Sequence, residues 1–175
     1  MLLKDLEKNL PQLIRTGKWN SYFIDWVFPM EARIWIQINN ARISLQKFYP
    51  CSRNQVYFHN HPWRKQMKLV KGVLEQGIST SYDAKDYIKT YDVDKQPPTI
   101  NKNQFALMKM VAGSDFTIDS PNCWHYLMPL NNEPIYSIMI TNEPWFKGPK
   151  APVKKIKKVS KKEQEDIFKN ILSCL

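Results

Sequence analysis

The apolar positions change their period near residue 32. Ahead of that point, Leu2, Leu3, Leu6, Leu10, Leu13 and Ile14 fall at helical spacing. This predicts a short amphipathic helix over residues 1–18 that packs on the body of the protein. Pro11 lies within it and is expected to break or kink it. From residue 32 the apolar residues come instead in short runs: ARIWIQI, ARISLQKFY, QVYFHNH, KQMKLVKG, VLEQGISTSY, YIKTYDV, QFALMKMV, DFTI, WHYLM and IYSIMIT. Asn39-Asn40, Pro62, Gly72, Pro97-Pro98, Gly113, Pro121 and Asn131-Asn132 punctuate these runs. Ten or so short strands with regular turns predict an all-β sandwich or barrel over residues 30–146. No helical pattern interrupts them, which argues against a βαβ fold.

Beyond Trp145 the chain turns polar, and Pro149 and Pro152 oppose regular structure. Residues 147–160 therefore read as a basic linker. Ser160 and Glu163 have capping-box spacing. Ile167, Phe168, Ile171, Leu172 and Leu175 then share one helical face, predicting a C-terminal amphipathic helix within 161–175.

Composition adds three constraints. Of 175 residues, 43% are apolar and 13% aromatic, enough for a core in one domain. No apolar run is long enough to cross a membrane, and Asp5 and Glu7 stand where an export signal would have its apolar centre. The three cysteines, Cys51, Cys123 and Cys174, are odd in number and lack CxxC spacing. They suggest a reducing, cytoplasmic setting. The net charge of +10 is uneven: nine lysines after residue 146 face only Glu163, Glu165 and Asp166. Lys147–Lys162 could therefore contact a polyanion, with salt-dependent binding.

The chain has three histidines. His59 and His61 close a strand-like run, and residues i and i+2 of a strand share a face. That spacing lets two imidazoles take adjacent positions on one ion. His125 lies 64 residues after His61 in another strand-like run, and a barrel brings such strands face to face. The three are the predicted metal ligands.

Two segments carry a family resemblance. HNHPWRKQMKLVKG, residues 59–72, resembles the first motif of the cupin superfamily, with Gly72 at the motif's closing glycine. GSDFTIDSPNCWH, residues 113–125, resembles the second, ending on the third histidine. Trp63 and Lys71-Gly72 are similar to a narrower HDHPW group of cupin-like proteins. The HNHP start and Ser81-Tyr82-Asp83 resemble the three-histidine thiol dioxygenases, including the plant cysteine oxidases. The resemblance covers roughly residues 30–145 and implies a small antiparallel barrel, or jelly roll, with the histidines lining its interior. The chain departs from the general pattern at several points. Arg53 replaces the usual first glycine, Lys65 or Gln66 the usual glutamate, and Cys123 a common glycine, and Pro121 is one residue closer to the final histidine.

Three imidazoles add no charge, so a divalent ion would keep its full charge and favour anionic co-ligands. Imidazoles suit Fe(II), the ion expected first, and also Zn, Ni, Cu or Mn. Around them, Tyr57, Lys65 and Gln66 are candidate catalytic residues. Met67 and Leu69 make the better barrel lining, which would turn Lys65 inward and Gln66 outward unless a bulge intervenes. The first functional reading is an Fe(II)-dependent dioxygenase acting on a small anionic or thiol-containing substrate. The alternatives are a metal- or small-ligand-binding cupin without catalysis, and a polyanion or nucleic-acid binder acting through the basic stretch. Cupin sheets also commonly pair, so a homodimer is a further expectation.

Overall fold

The computed structural model describes residues 3–25, 28–56, 59–61, 63–79, 106–144 and 157–175. Tyr57, the motif Ser81-Tyr82-Asp83 and most of the expected linker lie outside the described residues. Helix α1 (Leu3–Thr16) leads into β1 (Asn20–Ile24), β2 (Glu31–Ile38) and β3 (Ala41–Phe48). Then follow β4 (Trp63–Lys71), β5 (Val73–Ser79), β6 (Ala106–Val111), β7 (Asp115–Ile118), β8 (Trp124–Pro129) and β9 (Ile135–Pro144), and finally α2 (Lys161–Leu172).

The strands form a six-stranded sheet in the order β1-β2-β3-β9-β4-β7 and a three-stranded sheet in the order β6-β5-β8. All strand pairs given a register are antiparallel. The chain crosses between sheets from β4 to β5, from β6 to β7, from β7 to β8 and from β8 to β9. This is the antiparallel all-β architecture expected, with a short helix near each end. Strand β1 precedes the range 30–146 and adds an edge to the large sheet.

Two apolar clusters divide the molecule. Phe48, Met67, Leu69, Ile135 and Met139 of the large sheet meet Leu74, Met110 and Leu127 of the small one. On the opposite face of the large sheet, Ile34, Ile43, Leu45, Ile138 and Ile140 are covered by Leu3, Leu6 and Leu10 of α1 and by Ile167 and Ile171 of α2. Pro11 does not interrupt α1, contrary to the sequence expectation. Leucines before it are buried, and Leu13 and Ile14 after it also pack on the sheet. Tertiary packing thus outweighs the roughly 3 kcal/mol a proline costs inside a helix.

Ser160 caps α2 by accepting from the Glu163 amide at 3.2 Å. The Glu163 carboxylate instead accepts from Lys47 Nζ and the Tyr49 hydroxyl, both at 2.7 Å. Only half of the capping box is used, and the other half fastens the helix to β3.

Gly72, the motif glycine, turns the chain from one sheet to the other with φ +94°. A Cβ there would lie 2.7 Å from the Ile135 side chain, so both conformation and space require glycine.

Candidate metal centre

The segment between β3 and β4 carries His59 and His61 along the edge of β8. The His59 amide donates to the His125 carbonyl at 2.9 Å, and the His125 amide donates back at 2.8 Å. This pair of bonds extends the small sheet by one bridge. It sets the His59 and His125 rings 4.5 Å apart between centroids. His61, two residues on, brings its ring to 4.8 Å from His59 and 5.1 Å from His125. The structure therefore gathers all three histidines, with one nitrogen from each within 4.8 Å of the others.

The donor set fits a metal ion. The Nε2 atoms of His61 and His125 are 3.0 Å apart. Two nitrogens about 2.1 Å from one ion are about 3.0 Å apart at a right angle and about 3.4 Å apart at the tetrahedral angle. The wider separations in the group involve His59. Burial, reinforced by Lys65 and His59, holds the His61 and His125 imidazoles well below their ordinary pKa. Both rings are thus neutral, as ligation requires.

Lys65 is the residue that the sequence pattern left open. It points inward and is buried, with Nζ 2.8 Å from Nε2 of both His61 and His125. Burial, and Arg33 after it, pushes the Lys65 amine well below its usual range. A neutral amine still has two N–H donors, one for each imidazole. Gln66 has the opposite parity and faces the side covered by α1. Neighbouring Lys68, on that same face, binds Glu7 at 2.7 Å. Gln66 is therefore not among the groups facing the histidines.

Gln76 is a site residue that the sequence reading missed. Its side chain is fully buried on the inner face of β5, with Nε2 3.3 Å from His125 Nδ1 and Oε1 without a partner. His125 Nε2 faces the Lys65 donor, so Nε2 accepts and the ring proton sits on Nδ1. Turning the Gln76 amide over places Oε1 against that N–H, satisfies the orphaned oxygen and fixes the tautomer whose Nε2 lone pair would take an ion in place of the Lys65 hydrogen bond. A glutamine in a strand gives no sequence signal for this role.

A second polar chain lines the inner face of the large sheet. Arg33 makes a two-bond ion pair with Glu31, Gln46 donates to Glu31 at 2.7 Å, and Ser137 donates to Gln46 at 3.1 Å. Burial opposes the Arg33 charge, but Glu31 overrides that and keeps the guanidinium charged.

Tyr126, which follows His125, faces away from the cluster. It donates to Glu75 at 2.6 Å, and Arg53 binds the same carboxylate at 2.6 Å. This contact ties the histidine-bearing segment to β5 from outside. Of the basic stretch, Lys157 pairs with Asp25 at 2.5 Å, while Lys158, Lys161 and Lys162 are exposed.

No family model matches this chain, and no curated protein matches it. Among solved structures it is similar to the hydroxypropylphosphonic acid epoxidase of S. wedmorenis, with a TM-score of 0.49 and 6% identity over 69% of this chain and 55% of that one. An Fe(II) form of HppE gives 0.46 and 6% over 63% and 49%. The oxalate decarboxylase of Lactobacillus farciminis gives 0.45 and 14% over 65% and 29%. The chain spans about half the length of the epoxidase. Likenesses this loose transfer no activity. The antiparallel barrel and its gathered histidines rest on the strand register and the distances above.

Proposed function

We propose that this protein binds one divalent metal ion through His59, His61 and His125 and uses it as an oxygenase on a small anionic or thiol-containing substrate. The observation that carries this reading is the convergence of three imidazoles, those of His61 and His125 held neutral with their Nε2 atoms 3.0 Å apart, between the two sheets. Fe(II) is the ion proposed first, since three neutral ligands leave positions free for oxygen and an anionic substrate. When bound, the ion would supply redox and Lewis-acid chemistry. The chain's own residues would do the rest. Gln76 would hold the His125 proton on Nδ1, Lys65, released from the imidazoles when they ligate, would offer its N–H groups to an anion, and the apolar cluster around Met67 and Met139 would line the interior beside them.

Elemental analysis of protein purified without chelator tests the reading. About one equivalent of metal is expected, lost in His125→Ala while the β-sheet circular dichroism remains. Oxygen uptake with a panel of thiols and small carboxylates then tests catalysis. Wild-type protein that takes up none of Fe(II), Co(II), Ni(II), Cu(II) or Zn(II) would overturn the metal reading. Metal uptake without turnover on any substrate would leave a binding protein.

A further inference from the structure

We infer that the inner face of the large sheet carries a second site, built on Arg42 and Ser44, that takes a small carboxylate. The site deepens the proposed function by giving the substrate's anionic end a place. Its own evidence does not involve the histidines.

Strand register places the site. Arg42 pairs with Thr141 on β9, and Thr141 pairs with Lys65 on β4. These residues form one cross-strand row on the inner face. Arg42 and Lys65 therefore stand two strands apart, about 10 Å between backbones, with both side chains turned to the interior. Ser44 is the next inward residue along β3, paired with Trp35 on β2 and Met139 on β9.

The hydrogen bonding distinguishes Arg42 from its neighbour. Arg33 is matched by Glu31, which Gln46 and Ser137 support in turn. Arg42 makes no ion pair among the described residues, and its Nε is buried without a hydrogen-bond partner. Its guanidinium lies over the Trp35 ring, 4.4 Å from the centroid, which fixes its plane. The Ser44 hydroxyl is likewise buried and unpartnered, in a residue with no exposed surface. Two orphaned polar groups on adjacent inward positions of one strand share the same unmet need, an acceptor. A carboxylate meets it: its two oxygens match the fork of a guanidinium held flat, and one can also accept from a hydroxyl. Arg42 as a whole is only half-buried, whereas Ser44 has no exposed surface. A carboxylate seated here leaves the rest of a small molecule pointing along the row toward Lys65 and the histidines.

The test reads Arg42 itself. The full chain, labelled with 15N and freed of metal by chelator, is titrated with sodium propionate at constant ionic strength, against sodium chloride as control. The arginine Nε–H resonances are followed. A saturable shift of the Arg42 signal with propionate and not with chloride is expected, several-fold weaker in affinity in Ser44→Ala; in Arg42→Gln, which lacks that signal, no other arginine Nε–H should shift saturably with propionate. No saturable shift in the wild type, an equal response to chloride, or a shift centred on Arg33 overturns the site. Ser44→Ala binding as tightly as the wild type overturns the hydroxyl's part in it. His125→Ala separates the two proposals. Loss of metal uptake with the propionate response retained leaves both standing. A wild type that binds propionate but no metal removes the oxygenase reading and keeps the carboxylate site.

Discussion

At the scale of single residues, the centre depends on which nitrogen of His125 carries its proton. Gln76→Leu removes the amide from Nδ1 while keeping the side chain's bulk. Metal affinity should fall about 10- to 100-fold, the usual effect of losing a partner that orients a ligating histidine. Competition against a chelator of known affinity measures this, and unchanged affinity would return Gln76 to a packing role. The depressed imidazole pKa values carry a pH consequence with a definite sign. In the unfolded chain these rings take up protons below about pH 6.5, whereas in the fold His61 and His125 resist protonation. The unfolded state then binds more protons, so the metal-free protein should lose stability as pH falls from 7 toward 5. Urea midpoints at several pH values will show the slope. A midpoint that rises on acidification would mean the rings are not buried neutral.

The secondary-structure elements show how much the sequence revealed. The strands were legible because β-branched and aromatic residues recur in short runs between turn residues. The histidine group was legible because the His59/His61 spacing places two rings together on one segment. Lys65 was not settled, because a single bulge in β4 reverses every side chain after it. The ladder to β9 is in fact regular from Lys65 to Leu69, with irregularities only on either side. The polar interior was hidden for a different reason. In β2 the apolar residue Ile34 faces the helices, while Glu31 and Arg33 face the cavity, so alternation that resembles a solvated outer face here marks an inner one. Gly77 supplies an element-scale prediction. A Cβ on it would lie 2.1 Å from the Tyr126 ring, which is tied to Glu75 and Arg53. Gly77→Ala should cost about 1–3 kcal/mol by overpacking. It should also loosen the strand that carries His125. Thermal melts with and without metal check this, and an unchanged melting temperature would show that Tyr126 moves aside freely.

For the whole molecule, the two helices and the site occupy opposite faces of one sheet. Ile171→Ala removes packing from the helical face and should destabilise the fold by about 2–4 kcal/mol. The metal content of each folded molecule should stay the same, and a proportional loss of metal would show that the faces are coupled through the sheet. If the ion binds only the folded chain, free metal at 100 times its dissociation constant should add about 2.7 kcal/mol of apparent stability. Differential scanning calorimetry at several metal concentrations measures the gain.

The paired backbone bonds between His59 and His125 join points far apart in the chain, and His61 faces His125 across 64 residues of sequence. Closing so long a loop costs chain entropy that the local hairpins do not incur. This contact should therefore be among the late events of folding, formed after the β2–β3 and β4–β5 turns. The amide protons of His59 and His125 become natural clocks for that event. Their exchange with deuterium should be fast in metal-free protein and should slow on metal addition more than that of neighbouring strand amides. The ion would then act as a clasp on the last loop to shut as well as a reactive centre.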